Sequence, residues 1–553
     1  MKTCTKCTTQ FEITPEETKM RTKFDAPEPT ACPQCRWIER LHFRNDRSLY
    51  PGKCALCHKN TLSQYAPDSA FPVYCLDCFN NGNWEPPHAD FDFSRPFFPQ
   101  FRELMMQCPH PALSLAPPLE NSDYNNGASA LKNCYMSFHT RGAEDSYYGY
   151  RMANCKDTVD SIDIEDSEIV YNSLTVKDSY SIFWSEQVEK STDCYFVFDA
   201  RDASNCFMSS GVRHKQYVFR NKQLSRESYL ETIKKEELHK ASRLEVLRQE
   251  FEAMKQAAPR RAFVGVRAEN ATGNYIFNST NVHNGIFVRN AEDVWFCSNI
   301  NGGKDCMDQT FFNFGDAELI YNSQSIGIGA YNIKYSNRCF SDVSDLEYCN
   351  YCMFGVHNCF GCSGLRKTDY CVFNKHYTRE EYTALIGRIK AHMRETGEYG
   401  QFFPTEFSHY GYNETTAQMD FPLTPETAHA QGYAWREKPV PAVPEEKRFP
   451  AAGAPWPETI ADVPPDITEK FLLCQKTSKP FRVVKPELAF CQKHNIPLPR
   501  LHPDERFFSL YAGLGPFTLG ERACSQCHTK IQTVYLDSKL TVLCEVCYTK
   551  KMI

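Results

Sequence analysis

"NCYMSFHTRGAEDSYYGYRMANCKDTVDSIDIEDSE", residues 133–168, says one short phrase four times: Asn or Asp, a small Cys or Ser, then usually an aromatic residue. The phrase starts as NSDY at 121, and occurs as NCY at 133, DSY at 145, NCK at 154 and DSE at 166. It continues as DSY at 178, DCY at 193 and NCF at 205, so the steps are 12, 12, 9, 12, 12, 15 and 12 residues. Self-similarity at a fixed period marks a repeat architecture. Tyr, Phe, Val and Ile between Asn, Asp and Gly turns favour strands over helices. The expected structure is a β-solenoid, with Cys and Ser packed inside and Asn side chains stacked at the corners. One phrase per coil, or two per coil of about 24 residues, both fit the spacing.

A second array spans 263–377 and aligns with the first under a shift of 153. Cys206-Phe207 falls on Cys359-Phe360, Arg213 on Arg366, and Asn221-Lys222 on Asn374-Lys375. Each array runs into a predicted helix. In 225–258, Leu230, Ile233, Ala241, Leu244, Leu247, Phe251 and Met254 share one face. The helix at 378–396 opens with the capping box Thr378-x-x-Glu381. Such helices would cap array ends that otherwise expose unpaired strand edges.

Cysteine spacing carries the metal chemistry. Cys4, Cys7, Cys32 and Cys35 form two C-x-x-C pairs, as do Cys54, Cys57, Cys75 and Cys78, and Cys524, Cys527, Cys544 and Cys547. A C-x-x-C turn aims two thiolates at one point, and a second turn completes the tetrahedron that zinc accepts. Three structural zinc ions are therefore expected. Four thiolates leave no coordination position open for water or substrate, so the zinc is not expected to be a catalyst.

The last 80 or so residues repeat the first under a shift of 470, which places Cys54, Cys57 and His58 on Cys524, Cys527 and His528. The same shift places Cys4 on Cys474, Cys7 on Thr477, and Cys32-Pro33-Gln34-Cys35-Arg36 on His502-Pro503-Asp504-Glu505-Arg506. This first C-terminal site reads as decayed, either a weak metal site or a metal-free remnant. Cys349, Cys352, Cys359 and Cys362 inside the second array read as a further metal site or as a ladder of buried thiols.

The expected plan is mainly β: two tandem β-solenoid-like arrays with capping helices between N- and C-terminal zinc ribbons. It comprises a double ribbon at 1–83, a Pro/Phe-rich linker at 84–120 draped over the first array, and the first array at 121–224. The helix at 225–258, the second array at 263–377 and the helix at 378–396 follow. An extended linker at 397–470 leads to a degenerate plus an intact ribbon at 471–553.

The motifs CTKCTTQFEIT, CPQCRWIERLHFRND, YPGKCALC, DFDFSRPFFPQF, FRNKQLSRESY, EYGQFFP and YNETTAQ, with the NCY phrases, span nearly the whole chain. In these the chain resembles a zinc-ribbon/β-solenoid family abundant in small-genome bacteria of the candidate phyla radiation (Patescibacteria-type). The resemblance implies a bacterial, cytoplasmic setting and implies no reaction.

The totals narrow the function. Basic and acidic residues number 62 and 68 in 553, a net charge of −6, so no global field marks a polyanion binder. No apolar signal segment opens the chain and no run of about 18 apolar residues occurs, so its 27 cysteines point to a reducing cytoplasm and no membrane partner. No nucleotide-binding glycine loop or G-x-S-x-G elbow is present, and no small-molecule substrate is indicated. Arg36, Arg40, Arg44 and Arg47 fall at i, i+4, i+8 and i+11, one stripe if helical. Beside a zinc knuckle, such a row suits phosphate contacts, with Trp37 or His42 to stack on a base; the alternative is a solvated face. The expected function is a non-enzymatic zinc-binding scaffold docking RNA, a ribonucleoprotein such as the ribosome, or protein partners. The alternative is a solenoid enzyme on a polysaccharide-like substrate, using the acidic stretch at 157–168.

Overall fold

The computed structural model describes residues 1–552 apart from 313 and 314, inside the second array, and 452, inside the expected linker. The chain is mixed rather than mainly β, with 24% helix and 34% strand. No helix among the described residues is long and apolar enough to cross a membrane.

The phrase sets a coil of twelve residues. Tyr150, Ile162, Leu174, Glu186, Phe198 and Ser210 pair in parallel succession, and so do Lys156, Glu168, Tyr180, Thr192, Ser204 and Gln216. Each coil therefore holds one period, not two. The second array winds less evenly: Cys306 pairs Ile320, then Ile333, Leu346, Cys359 and Cys371 follow, in steps of 12 to 14 residues.

Each coil turns at every third residue. Asn133, Met136, His139, Gly142, Asp145, Tyr148, Arg151 and Asn154 all adopt the left-handed backbone. Asn and Asp tolerate this conformation best, and they stack: Asn133 Nδ2 donates to Asp145 Oδ1 at 2.9 Å, and Asn154 Nδ2 to Asp166 Oδ1 at 2.9 Å. The small residue after the corner points inward. Ser173 Oγ donates to Tyr171 O at 2.9 Å and accepts from Ser185 N at 3.1 Å, twelve residues on. Cysteine takes the same place, with Cys155 Sγ donating to Ala153 O at 3.1 Å. The steps of 9 and 15 in the sequence are the phrase slipping by one three-residue side and returning, while the coil stays at twelve.

Both arrays end in a two-residue antiparallel strand, Lys222–Gln223 and Lys375–His376, followed by helix. The helix expected over 225–258 is two, Arg226–Lys234 and Ala241–Ala257. The first packs on the terminal strand Gln216–Phe219, and the second lies along Thr192–Arg213 with Leu244, Leu247 and Phe251 buried. One straight helix could not follow both surfaces. The helix Arg379–Glu395 carries its capping box at Thr378 and Glu381 as expected.

Two linkers are not linkers. Phe97–Gln107 is a helix whose Phe97 and Phe101 pack against Tyr348, Phe360 and Phe373 of the second array, not the first. The first array gains a coil from 84–120, because Leu115–Glu120 pairs in parallel with Ala128–Lys132. In 397–470, Tyr412, Ala417 and Ala428 are buried against Leu41, with Trp37 packed alongside. Phe and Tyr density, more than Pro content, decided these segments.

Ser173→Ala removes a buried hydroxyl that satisfies groups in two coils, and should cost about 1–3 kcal/mol. Ser173→Cys should cost clearly less, because cysteine already occupies this role elsewhere. Equal shifts in the urea midpoint for the two variants would remove the corner argument.

Candidate metal centres and the inter-array cleft

Each intact ribbon builds its knuckle the same way. Cys4 N donates to Thr9 O and Thr8 N to Cys4 O, with Thr8 left-handed; Cys54 with His58 and Lys59, and Cys524 with His528 and Thr529, repeat it. The hairpin folds the two Sγ atoms to one side. A helix that starts after Cys32, or after Cys75, supplies the second pair. Within each group all four Sγ atoms lie within 4.8 Å of one another. Cys7 to Cys32 is 3.8 Å, Cys57 to Cys75 is 3.9 Å and Cys527 to Cys544 is 3.6 Å. A tetrahedron with metal–sulfur bonds of about 2.3 Å has edges of about 3.8 Å, so the donor sets fit a thiophilic ion.

Backbone amides favour the thiolate of the first cysteine in each group, while burial and the neighbouring thiols push Cys35, Cys75, Cys78 and Cys547 up. Burial works against ionising Cys54, yet the N–H groups of Cys57, Cys75 and Leu56 bring it down to about 6. Cys524 falls to about 6 in the same way, through Cys544, Cys527 and Gln526. Cys32 is lowered to about 5, first by the Cys35 thiol.

The decayed site keeps its fold without its ligands. Cys474 N still donates to Lys479 O, and Ser478 is left-handed like Thr8. Glu505, however, pairs with Lys476 at 3.1 Å, and His502 Nδ1 accepts from Asp504 N at 3.1 Å. Neither converges with Cys474 and Thr477 on a metal position, and among the described residues the three Cys4 groups alone meet that geometry. Cys349, Cys352, Cys359 and Cys362 are a ladder: each thiol donates to the carbonyl two residues before it.

The arginine row is not a surface. Arg36 and Arg40 leave the helix Pro33–Leu41 toward the second array, and Arg44 and Arg47 follow beyond its end. Arg36 Nε donates to Asp308 Oδ2 at 2.9 Å, and Arg40 lies 3.5 Å from the same carboxylate while donating to Thr310 and Asn322. Arg44 pairs with Asp46 at 2.9 Å and donates to Ser325 at 2.8 Å. Arg47 donates to Asp504 at 3.1 Å and lies 3.6 Å over the Phe507 ring. Trp37 meets Phe421 edge-on, and His42 is buried against Tyr412 and Tyr433. Neither the phosphate grip nor the solvated face therefore holds. The cause is Asp308, 0% exposed, whose carboxylate draws the cationic face of the helix inward.

The pairing is repeated. Glu17 joins Arg36 at 3.8 Å, and the shift of 470 carries Glu17 and Arg36 onto Glu487 and Arg506. Arg506 bonds Glu487 at 3.0 Å and also Asp160 of the first array. Asp160 is the counterpart of Asp308. Four coils back from Cys206 is Thr158, and four coils back from the matching Cys359 is Cys306; each aspartate lies two residues further on. The N-terminal ribbon thus docks on the second array and the C-terminal ribbon on the first. The charge balance differs. Burial acts to raise Asp308, but Arg36, Arg40 and Arg21 hold its carboxyl below the usual range. Asp160 and Glu487 share Arg506, and burial pushes both up. Sequence reasoning missed these acids. The available signal was that Glu17 and Arg36 persist in the copy whose metal ligands decayed.

Between the arrays runs a cleft of about 1600 Å³. Arg151, Asp163 and Glu165 of the first array, Arg289, Arg338, Phe354 and Lys367 of the second, and Trp84 and Glu85 line it. Asp163 lies 3.5 Å from Arg151, and Glu165 lies 2.6 Å from Arg289 and 3.1 Å from Lys177. Compared with known protein families and with curated proteins, the chain matches none.

Elemental analysis of the purified chain should find three metal ions per molecule; one or none would overturn the site assignment. Asp308→Asn should destabilise the protein by about 3–5 kcal/mol, because it leaves Arg40 buried without its counter-charge and Arg21 and Arg36 to share Glu17. An unchanged denaturation midpoint would show that the docking charges are not needed.

Proposed function

We propose that the chain is a non-enzymatic, zinc-organised binding scaffold whose binding surface is the cleft between two β-solenoid arrays. The observation that carries this reading is the cleft itself: large, walled by two stiff parallel arrays, and braced by ribbons whose own polar faces are turned inward. Closed Cys4 donor sets support zinc in a structural role. Parallel pairing at a repeated interval of 12 residues in the first array supports the solenoid reading. A bacterial cytoplasm, as the family resemblance implies, agrees with 27 cysteines and no disulfide among the described residues.

The carboxylates in the cleft argue against a polysaccharide-cleaving enzyme. Asp163 and Glu165 are each paired with an arginine or lysine, and a general acid needs a carboxyl free to hold a proton. An RNA, ribosomal or protein partner would meet the cleft, since the arginine row is engaged within the fold.

A photo-crosslinking amino acid placed at Phe354, on the cleft wall, should give adducts in native lysate. The same probe at Val246, exposed on the helix Ala241–Ala257, should not. Nuclease or protease digestion of the adduct then assigns the partner class. Equal yields from the two positions, or none from 354, would refute the cleft as the binding surface.

A further inference from the structure

We propose that the cleft contains an oxyanion subsite built on Arg338, which takes the phosphate or carboxylate group of the ligand; this rests on the reading of the cleft as the binding surface. Arg338 is a corner residue of the second array, with φ of 55°, and its side chain lines the cleft while only 3% of the residue is exposed. Among the described residues its guanidinium has no hydrogen bond and no ion pair, and Nε is buried without a partner. The Tyr351 ring lies 5.5 Å from it.

This is unlike the buried guanidinium groups that dock the ribbons. Arg21 pairs with Glu17, Arg36 and Arg40 with Asp308, Arg44 with Asp46, and Arg506 with Asp160. The surroundings of Arg338 supply no such charge. Tyr351 shares a 2.7 Å hydrogen bond with the Tyr65 hydroxyl, and Tyr410 donates to Gln64. His110 and His409 lie nearby, and burial holds both neutral. The carboxylate that acts on Arg338, Asp46, is already engaged by Arg44 at 2.9 Å and Tyr150 at 3.0 Å.

The other cations nearby are differently placed. Arg366 donates only to carbonyls, those of Phe79, Asn80, Gly82 and Trp84, and Lys367 beside it is exposed. Glu85 shares this lining, and Asp342 Oδ2 and Lys367 both flank Gly355, so Arg338 stands apart as the buried cation without a hydrogen bond or ion pair among the described residues. Elsewhere in the lining Arg151 and Arg289 pair with Asp163 and Glu165. A desolvated guanidinium without a counter-charge is costly, and its planar fork matches two oxygens of a phosphate or carboxylate.

The test is calorimetric titration of the zinc-loaded full chain with inorganic phosphate and, separately, with acetate. Saturable binding of one equivalent of either anion is expected, weakened at least tenfold in Arg338→Gln; the anion that binds more tightly names the group. Failure of both anions to saturate, or equal binding by the variant, overturns the subsite. If Arg338→Gln does not fold, wild-type crystals soaked in selenate decide: an anomalous peak at the Arg338 guanidinium supports the subsite, and peaks only elsewhere overturn it. Loss of the subsite with crosslinking from position 354 intact leaves the cleft reading standing; loss of both removes the two together.

Discussion

A buried carboxylate on each array, clamped by an arginine from a ribbon module, is the constraint on which the rest of the structure depends. Asp308 and Asp160 sit at matching positions in the two arrays, and Arg36 and Arg506 at matching positions in the two ribbon modules. Buried ion pairs add little net stability over apolar packing, but they penalise every misaligned arrangement. Here they set which ribbon docks on which array and in what register. The crosswise docking holds the arrays side by side and so leaves a cleft between them.

The Cys4 sites and the docking charges divide the labour. A ribbon of this size buries little apolar surface by itself, so the Cys4 group fixes its hairpins and helix. The helix after the second C-x-x-C pair then presents Arg36 on a rigid axis. In the C-terminal copy the metal ligands of the first ribbon have gone, while the hairpin Phe471–Leu473 with Pro480–Phe481 and the helix Pro503–Tyr511 remain. Packing against Tyr148, Asp160 and the intact ribbon substitutes for the ion there. Thus a docked ribbon can lose its metal, provided the docking residues are kept.

Much of this architecture was legible in the sequence because its signals are local. C-x-x-C pairs, the capping box at Thr378 and the twelve-residue phrase each depend on neighbours within one turn or one coil. The phrase also carries its own explanation: a left-handed Asn or Asp, then a Ser or Cys that bonds the carbonyl two residues back. What could not be read was which face of a polar helix points inward. Arg36, Arg40, Arg44 and Arg47 have the spacing of a solvent-facing stripe, and their partners, Asp308, Asn322, Ser325 and Asp504, lie hundreds of residues away. The cleft was invisible for the same reason, since its walls come from arrays that no local pattern places together.

The crosswise docking has a consequence for synthesis. All four thiolates of the first Cys4 group lie within the first 35 residues, so this ribbon can fold as soon as it leaves the ribosome. Its arginine must then wait for Asp308, 272 residues downstream. At roughly 5–20 residues per second that interval is about 14–54 s. During that time Arg36 and Arg40 lack the carboxylate of the second array that they meet in the finished fold. Folding to completion therefore waits on the second array, whose Asp308 supplies the counter-charge.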